Sequence, residues 1–372
     1  MQALSRPAST PAYDVDLIVT ESGCADLRGA DWQQRRRLIT ELFSDWGKPP
    51  MPEGPLSDRV VLVTGGGRGI GRAHCLALAE QGAAVVVNDP GVGRDGSGGD
   101  AGAAAAVVAE VEAAGGKAVA HTGSVSVWAD AADMVSTAVD TFGTLTGVVN
   151  NAGIVRDSTV VNATEADWDA VIAVHLKGTF AVSKHACEYW RAQSKAGNQI
   201  DARIVNTISG AGLWGNVGQS AYGAAKAAIA NLTIVTAMET RRYGVAVNAI
   251  SPLAVTRISQ DFFAGERSND PALDPTRSSA VVAWLQSPES SWLTGQILRI
   301  DGHKLIRIEG FTEAPHQYHA KAGTSLQFYE IGQAVSWLYG TSPRVWPATT
   351  SSTSYLSEVL QLTVELRWAA PR

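Results

Sequence analysis

The sequence predicts an α/β fold built on a doubly wound parallel sheet. Three observations predict it. Short β-branched runs alternate with helical stretches from Asp58 onward. A glycine cluster, TGGGRGIG at Thr64–Gly71, stands between the first of those runs and the first helix. The later runs recur at the spacing of strand–helix–strand units, which cross over right-handedly in a single parallel sheet.

Taken in order, Val60–Thr64 (VVLVT) reads as the first strand, and RAHCLALAEQG, after the glycines, as the first helix. Such a turn lets bare backbone approach a diphosphate, and the helix start offers unpaired N–H groups and a positive dipole end. The glycines Gly65, Gly69 and Gly71 are spaced GxxxGxG rather than GxGxxG. Ala84–Asn88 is the second strand, closed by Asp89. An acid about twenty residues past the glycine turn is placed to hold ribose hydroxyls. At about 5 Å it would repel a 2′-phosphate by roughly 3 kcal/mol per unit charge. Asp89 therefore points to NAD over NADP. Arg68 is the opposing feature, a cation able to pair with that phosphate.

A polar glycine loop, Gly91–Gly102, comes next. A helix is expected over Ala103–Ala114, a strand over Lys117–Thr122, a helix over Asp130–Phe142 and a strand over Gly147–Asn150. The last ends in NNAG (Asn150–Gly153), at a strand C-terminus, where ligands sit in such sheets. Thr164–Ala196 reads as one long helical region. Strands follow at Ala202–Ile208, Val245–Ile250 and Leu293–Ile300, the last taken as the end of the sheet. Seven strands are expected.

The chemistry is carried by SAYGAAKAA, Ser220–Ala228. On a helix, Tyr222 and Lys226 emerge one turn apart on one face. Free tyrosine loses its proton near pH 10, about three units above neutrality. One ammonium at about 4 Å supplies on the order of 4 kcal/mol toward the phenolate, so Lys226 is expected to lower the Tyr222 pKa.

Composition narrows the classes. The 372 residues carry a net charge of −6, unlike a general nucleic-acid binder. The three cysteines, Cys24, Cys75 and Cys187, are far apart and lack CxxC spacing, which argues for a cytoplasmic protein without a disulfide framework. No apolar run is long enough to span a membrane, and no motif points to a metal. Residues 1–55 read as an extension: an irregular opening, an amphipathic helix over Asp31–Trp46 and a linker, Lys48–Pro55. Residues 56–303 form the catalytic domain, and 304–372 a C-terminal extension with a spacer at Thr349–Ser354 and an undecided YLSEVLQLTVELRW.

Thr64–Gly71, Asp89, Asn150–Gly153, Ser209, Tyr222 and Lys226, in that order and spacing, resemble the short-chain dehydrogenase/reductase family, with its Rossmann-type sheet. VVVNDPG, NNAGIVRD, VHLKG and GNVGQSAYGAAK look like the dehydrogenase unit of type 2 peroxisomal multifunctional enzymes and bacterial hydroxyacyl-CoA or hydroxysteroid relatives. The resemblance implies that Ser209 holds the substrate oxygen, that Tyr222 is the acid/base, and that Lys226 holds the nicotinamide ribose. It implies that Gly65, Arg68, Gly69, Ile70 and Gly71 line the diphosphate, Asp89 the adenosine ribose, Ser124 and Val125 the adenine, and Asn151, Ala152 and Gly153 the central groove. His175 stands where many members have Asn and is expected to serve structure or a proton relay. Pro252-Leu253 replaces the usual Pro-Gly. A homodimer or homotetramer is expected.

The expected reaction is reversible NAD-dependent oxidation of a secondary alcohol on a lipid-like substrate. Its cleft is expected over Leu253–Ala283, with Phe262, Phe263 and nearby Trp284, together with Leu213 and Trp214. The alternatives are an NADPH-dependent 3-oxoacyl reductase and a non-catalytic dinucleotide-binding scaffold.

Overall fold

The computed structural model describes residues 54–100, 102–254 and 270–310, two short strands near the N-terminus, and a few isolated positions. Outside them lie the Asp31–Trp46 helix apart from Gln34, the linker as far as Glu53, Phe262, Phe263, Thr349–Ser354 and the final YLSEVLQLTVELRW.

The apolar runs form one sheet because their side chains point alternately to its two faces and both faces are covered. The strands are β1 (Val60–Thr64), β2 (Ala84–Asn88), β3 (Lys117–His121), β4 (Gly147–Asn150), β5 (Ala202–Thr207), β6 (Val245–Leu253), β7 (Ile297–Asp301) and β8 (Lys304–Ile308). Their order across the sheet is β8-β7-β6-β5-β4-β1-β2-β3. On one face Leu62, Val86, Val148, Ile204 and Val247 pack under α3 (Trp128–Phe142), α5 (Gly178–Lys195) and α7 (Ser220–Thr240). On the other, Val61, Val63, Val85, Val87, Val149 and Val205 pack under α1 (Gly69–Glu80), α2 (Gly102–Ala113) and α8 (Ser279–Gln286). Most of these strand residues are fully buried, each contributing roughly 1.5–3 kcal/mol.

The seven expected strands run parallel, and an eighth is added. β8 returns antiparallel along β7 through the two-residue loop Gly302-His303, with Lys304 opposite Asp301. The sheet thus continues past His303 to Ile308. β6 runs straight through Pro252 into Leu253, which pairs with Asp301. Leu253 in place of glycine is therefore accommodated as an extended strand residue.

Two further expectations are corrected. The opening is not wholly irregular, since Leu17–Thr20 pairs antiparallel with Gly23–Asp26. The long helix over Thr164–Ala196 is three segments: α4 (Glu165–Ile172), a π-helical turn (Ala173–Lys177) and α5. At the far end of that turn, Gly178 packs so closely that a Cβ would stand 2.8 Å from the Val125 side chain.

The strand order reverses between β1 and β4, each leading to helices on opposite faces. This switch point opens a crevice at the strand C-termini, where the glycine turn after β1 meets NNAG after β4.

Candidate active site

The floor of the crevice is the turn from β1 to α1. Gly65 and Gly69 have φ of 63° and 54°, a region that residues with a Cβ rarely adopt. A Cβ on Gly71 would stand 1.9 Å from the Gly65 carbonyl oxygen. The N-cap of α1, Arg68, makes no side-chain capping bond, and no acid occupies the first turn. The opening N–H groups of the helix therefore face an anion-binding position.

NNAG braces this floor from β4. Thr64 Oγ1 accepts from the amides of Asn151 (3.0 Å) and Ala152 (3.1 Å), while Asn151 Nδ2 donates to the carbonyls of Thr64 (3.1 Å) and Gly65 (3.2 Å). Asn150 reaches beneath the crevice, donating to Asn206 Oδ1 and Ser183 Oγ, each at 2.9 Å.

Asp89, at the end of β2, accepts from Gly67 N (2.9 Å) through one oxygen and Gly91 N (2.7 Å) through the other. Each carboxylate oxygen retains a lone pair for a ribose hydroxyl. Arg68 turns away from Asp89 toward the glycine loop, donating to Asp100 Oδ2 at 2.8 Å and lying 3.4 and 3.5 Å from the carbonyls of Gly91 and Val92. Ser124 is held by Asp130 Oδ2 at 2.8 Å, and Val125 is buried beside it.

Eleven expected cofactor residues enclose one cavity of about 360 Å³: Gly65, Arg68, Gly69, Ile70, Gly71, Asp89, Ser124, Val125, Asn151, Ala152 and Gly153. The glycine-cradled shape, the helix N-terminus and the acid lining the cavity fit a dinucleotide. Pro90, Val92, Gly93 and Gly96 of the glycine loop line it as well. Sequence reasoning missed them, although their place just after Asp89 was a usable signal.

Ser209, Tyr222 and Lys226 do not line that cavity but are brought together beside it. Ser209 caps the short helix α6 (Gly210–Trp214), its Oγ accepting from Ala211 N at 3.2 Å. It stands near enough to the Tyr222 hydroxyl to oppose the rise of its pKa. Lys226 is buried one turn along α7, donating from Nζ to the Thr207 carbonyl at 2.6 Å and lying 5.7 Å from the Tyr222 ring centre. Burial alone holds its pKa at about 7.

The expected acidic phenol is corrected. Burial raises the Tyr222 pKa, the Ser209 hydroxyl opposes the rise, and the Asp157 charge adds to it. The Lys226 ammonium bonds a carbonyl and sits over the ring, so it does not outweigh desolvation.

His175 joins the cavity to Tyr222. It sits in the π turn, its ring edge-on to Tyr222 with centres 5.1 Å apart. A Cβ on Gly153 would stand 2.4 Å from its Cε1. Nε2 meets the Ile154 backbone, 2.7 Å from its carbonyl and 3.1 Å from its amide, and Nδ1 is buried without a partner among the described residues. Burial, then the Lys226 charge, pushes its pKa down to about 3, so the ring is neutral.

Of the expected substrate-cleft residues, Trp284 is displaced. It stacks edge-on with Trp292 at 6.5 Å and joins the apolar layer beneath the sheet, as does Ala283. Trp214 lies under the Arg299 guanidinium at 4.9 Å, and Leu213 packs beside Ile208 and Ile229. Among the described residues no cluster of His, Cys, Asp and Glu could hold a metal, and no helix is long and apolar enough to cross a membrane.

A model of the short chain dehydrogenase family matches residues 59–266. The chain is 43% identical over 263 residues to hydroxyacyl-CoA dehydrogenase ChsB1 of Mycobacterium tuberculosis, covering 68% of this chain and 80% of that one. It is 42% identical over 227 residues to mouse peroxisomal multifunctional enzyme type 2, covering 61% of this chain and 29% of that one. The crystal structure of a short chain dehydrogenase from Mycobacterium avium superimposes with a TM-score of 0.70 at 50% identity, covering 80% of this chain and all of that one.

Proposed function

The chain belongs to the short-chain dehydrogenase family, and from that premise we propose that it oxidises a secondary alcohol on a hydrophobic substrate, a 3-hydroxyacyl-CoA or a hydroxysteroid, with NAD. The observation that carries this reading is the convergence of Ser209 at the cap of α6 with Tyr222 and, one turn on, Lys226 over its ring, beside a glycine-cradled cavity. The hydroxyacyl-CoA dehydrogenase named among the relatives supports the substrate class.

NAD, when bound, supplies the hydride acceptor. Ser209 Oγ orients the substrate oxygen, and Tyr222 Oη takes its hydroxyl proton. Lys226, fixed by Thr207, keeps two N–H donors for a ribose. His175 walls the site as a neutral ring. The choice of NAD over NADP is supported by Asp89 and by Asp100, which already pairs with Arg68 and neutralises the cation that would otherwise favour a 2′-phosphate. Action in the cytoplasm is supported by the free thiols of Cys75 and Cys187.

A panel of 3-hydroxyacyl-CoAs and hydroxysteroids, followed at the reduced-nicotinamide absorbance with NAD and with NADP, tests this. Turnover of at least one class with at least tenfold preference for NAD is expected. Preference for NADP would replace it with the 3-oxoacyl reductase, and cofactor binding without turnover on any alcohol would leave a scaffold.

Assembly as a homodimer or homotetramer belongs to the same proposal. α5 and α7 present Phe180 and Met238, 45% and 77% exposed, along an open groove of about 640 Å³. Met238→Arg is expected to lower the sedimentation-derived mass toward one chain. An unchanged assembly would move the contact to another face.

A further inference from the structure

We propose that Asp157 and Arg94 form a positioning pair that ties the glycine loop Gly91–Gly102 to the head of the catalytic helix and fixes the charge that Tyr222 faces. The proposal rests on Tyr222 being the proton-transfer group of the function proposed above.

The loop is docked onto the segment after NNAG by both backbone and side chain. Val155 N donates to the Arg94 carbonyl at 3.0 Å, and Arg156 Nε to the Asp95 carbonyl at 2.9 Å. Gly96, at φ 88°, approaches Ile154 so closely that a Cβ would lie 3.2 Å from its Cδ1. This docking delivers Arg94 Nη2 to 3.8 Å from Asp157 Oδ2. The other oxygen of Asp157 accepts from Gln219 Nε2 at 3.2 Å.

Gln219 is the N-cap of α7, buried at 7% exposure, three residues before Tyr222. Its own Oε1 accepts from Asn216 Nδ2 at 3.0 Å, and Ser158 N donates to the Gly218 carbonyl at 2.8 Å. Asp157 is therefore joined to the start of the Tyr222 helix by a side-chain bond and by the backbone next to it.

The groups facing Tyr222 have distinct charges. Ser209 from α6 is neutral, His175 from the π turn is neutral, and Lys226 from α7 lies over the ring face. Asp157, from the loop after β4, is joined through Gln219 to the head of the Tyr222 helix, and its charge raises the Tyr222 pKa. Arg94 sets the opposite charge 3.8 Å from Asp157. Both partners are only about a quarter exposed, at 26% and 29%, so solvent screens the pair less than a fully exposed one. A part-exposed ion pair contributes little to stability. Its larger effect is on the field at the phenol.

The test reads Tyr222 directly. Tyrosinate absorbance is titrated against pH, without substrate or cofactor, as the difference between each protein and its counterpart carrying Tyr222→Phe. Asp157→Asn, which keeps shape and loses charge, is expected to move the Tyr222 midpoint to lower pH. Arg94→Gln is expected to move it to higher pH, and the double variant to return it close to the parent. On the acid limb of alcohol oxidation, Asp157→Asn is expected to raise kcat/KM about threefold and Arg94→Gln to lower it. A merely structural pair would move neither midpoint, or both in the same direction, and either result overturns the proposal. Should Asp157→Asn fail to fold, the sign of the Arg94→Gln shift decides alone. Absence of dehydrogenase activity in the parent would remove the functional reading and leave the titration readable.

Discussion

Tyr222→Phe is expected to bind NAD as the parent does and to lose alcohol oxidation by about 10³-fold or more. A positioned acid/base contributes roughly 10²–10⁴-fold, and no other described side chain beside Ser209 is equipped to replace it. His175 is neutral, with its Nε2 engaged by the Ile154 backbone. Lys226 is committed to Thr207. The substitution removes one oxygen from a half-buried ring and leaves Ser209 still accepting from Ala211 N, so the fold is unaffected. Steady-state turnover, with calorimetric titration of NAD, separates the two effects. Equal turnover in both proteins would remove Tyr222 from the chemistry. The raised phenol pKa adds a sign to the parent's behaviour. The base form accumulates only as pH rises, so kcat/KM for oxidation should climb through and beyond neutrality, and the reverse reduction, which needs the protonated phenol, should be favoured toward lower pH.

What was legible in the sequence was what local spacing determines. The glycine turn, Asp89 at the end of its strand, NNAG and the four-residue step from Tyr222 to Lys226 are read along the chain, and the sheet then brings their strand ends to one switch point. The sign of the Tyr222 shift was not legible, because burial and the Asp157 carboxylate reach the phenol only after folding. The same holds for Arg68. In the sequence it is a cation near a ribose site, and only the docked glycine loop supplies Asp100 as its partner. The π turn is hidden for a related reason. Apolar periodicity runs smoothly through Val171–Val182, while the widened turn coincides with His175 bonding Ile154 across the site. β8 differs from these. Asp301-Gly302 followed by KLIRI is a hairpin signal, overlooked because the strand is exposed at the sheet edge and lacks buried alternation. Trp284 was misplaced because an aromatic near a cleft in sequence can face either side of the sheet. Here it faces the layer beneath, against Trp292.

Lys226→Met is expected to stabilise the protein while reducing oxidation by about 10²-fold, a trade between stability and activity. Burial depresses the Lys226 pKa from 10.5 to about 7. The folded chain therefore binds fewer protons than the unfolded chain between those values, and stability rises with pH across that window. Below about pH 7 the cost of burying the ammonium is fully present, on the order of 5 kcal/mol. Methionine has a similar length and no charge, so it removes that cost. It also leaves the Thr207 carbonyl without its donor, a loss of about 1–3 kcal/mol. The net gain is about 2 kcal/mol or more near pH 6, and it should shrink with rising pH and change sign before about pH 10, where only the lost Thr207 hydrogen bond remains. Urea unfolding of the cofactor-free proteins at several pH values measures the gap. A stability difference that does not change with pH would mean that the ammonium keeps its ordinary basicity in the fold. Lys226 would then not be the desolvated cation that this site places against Thr207 and under Tyr222.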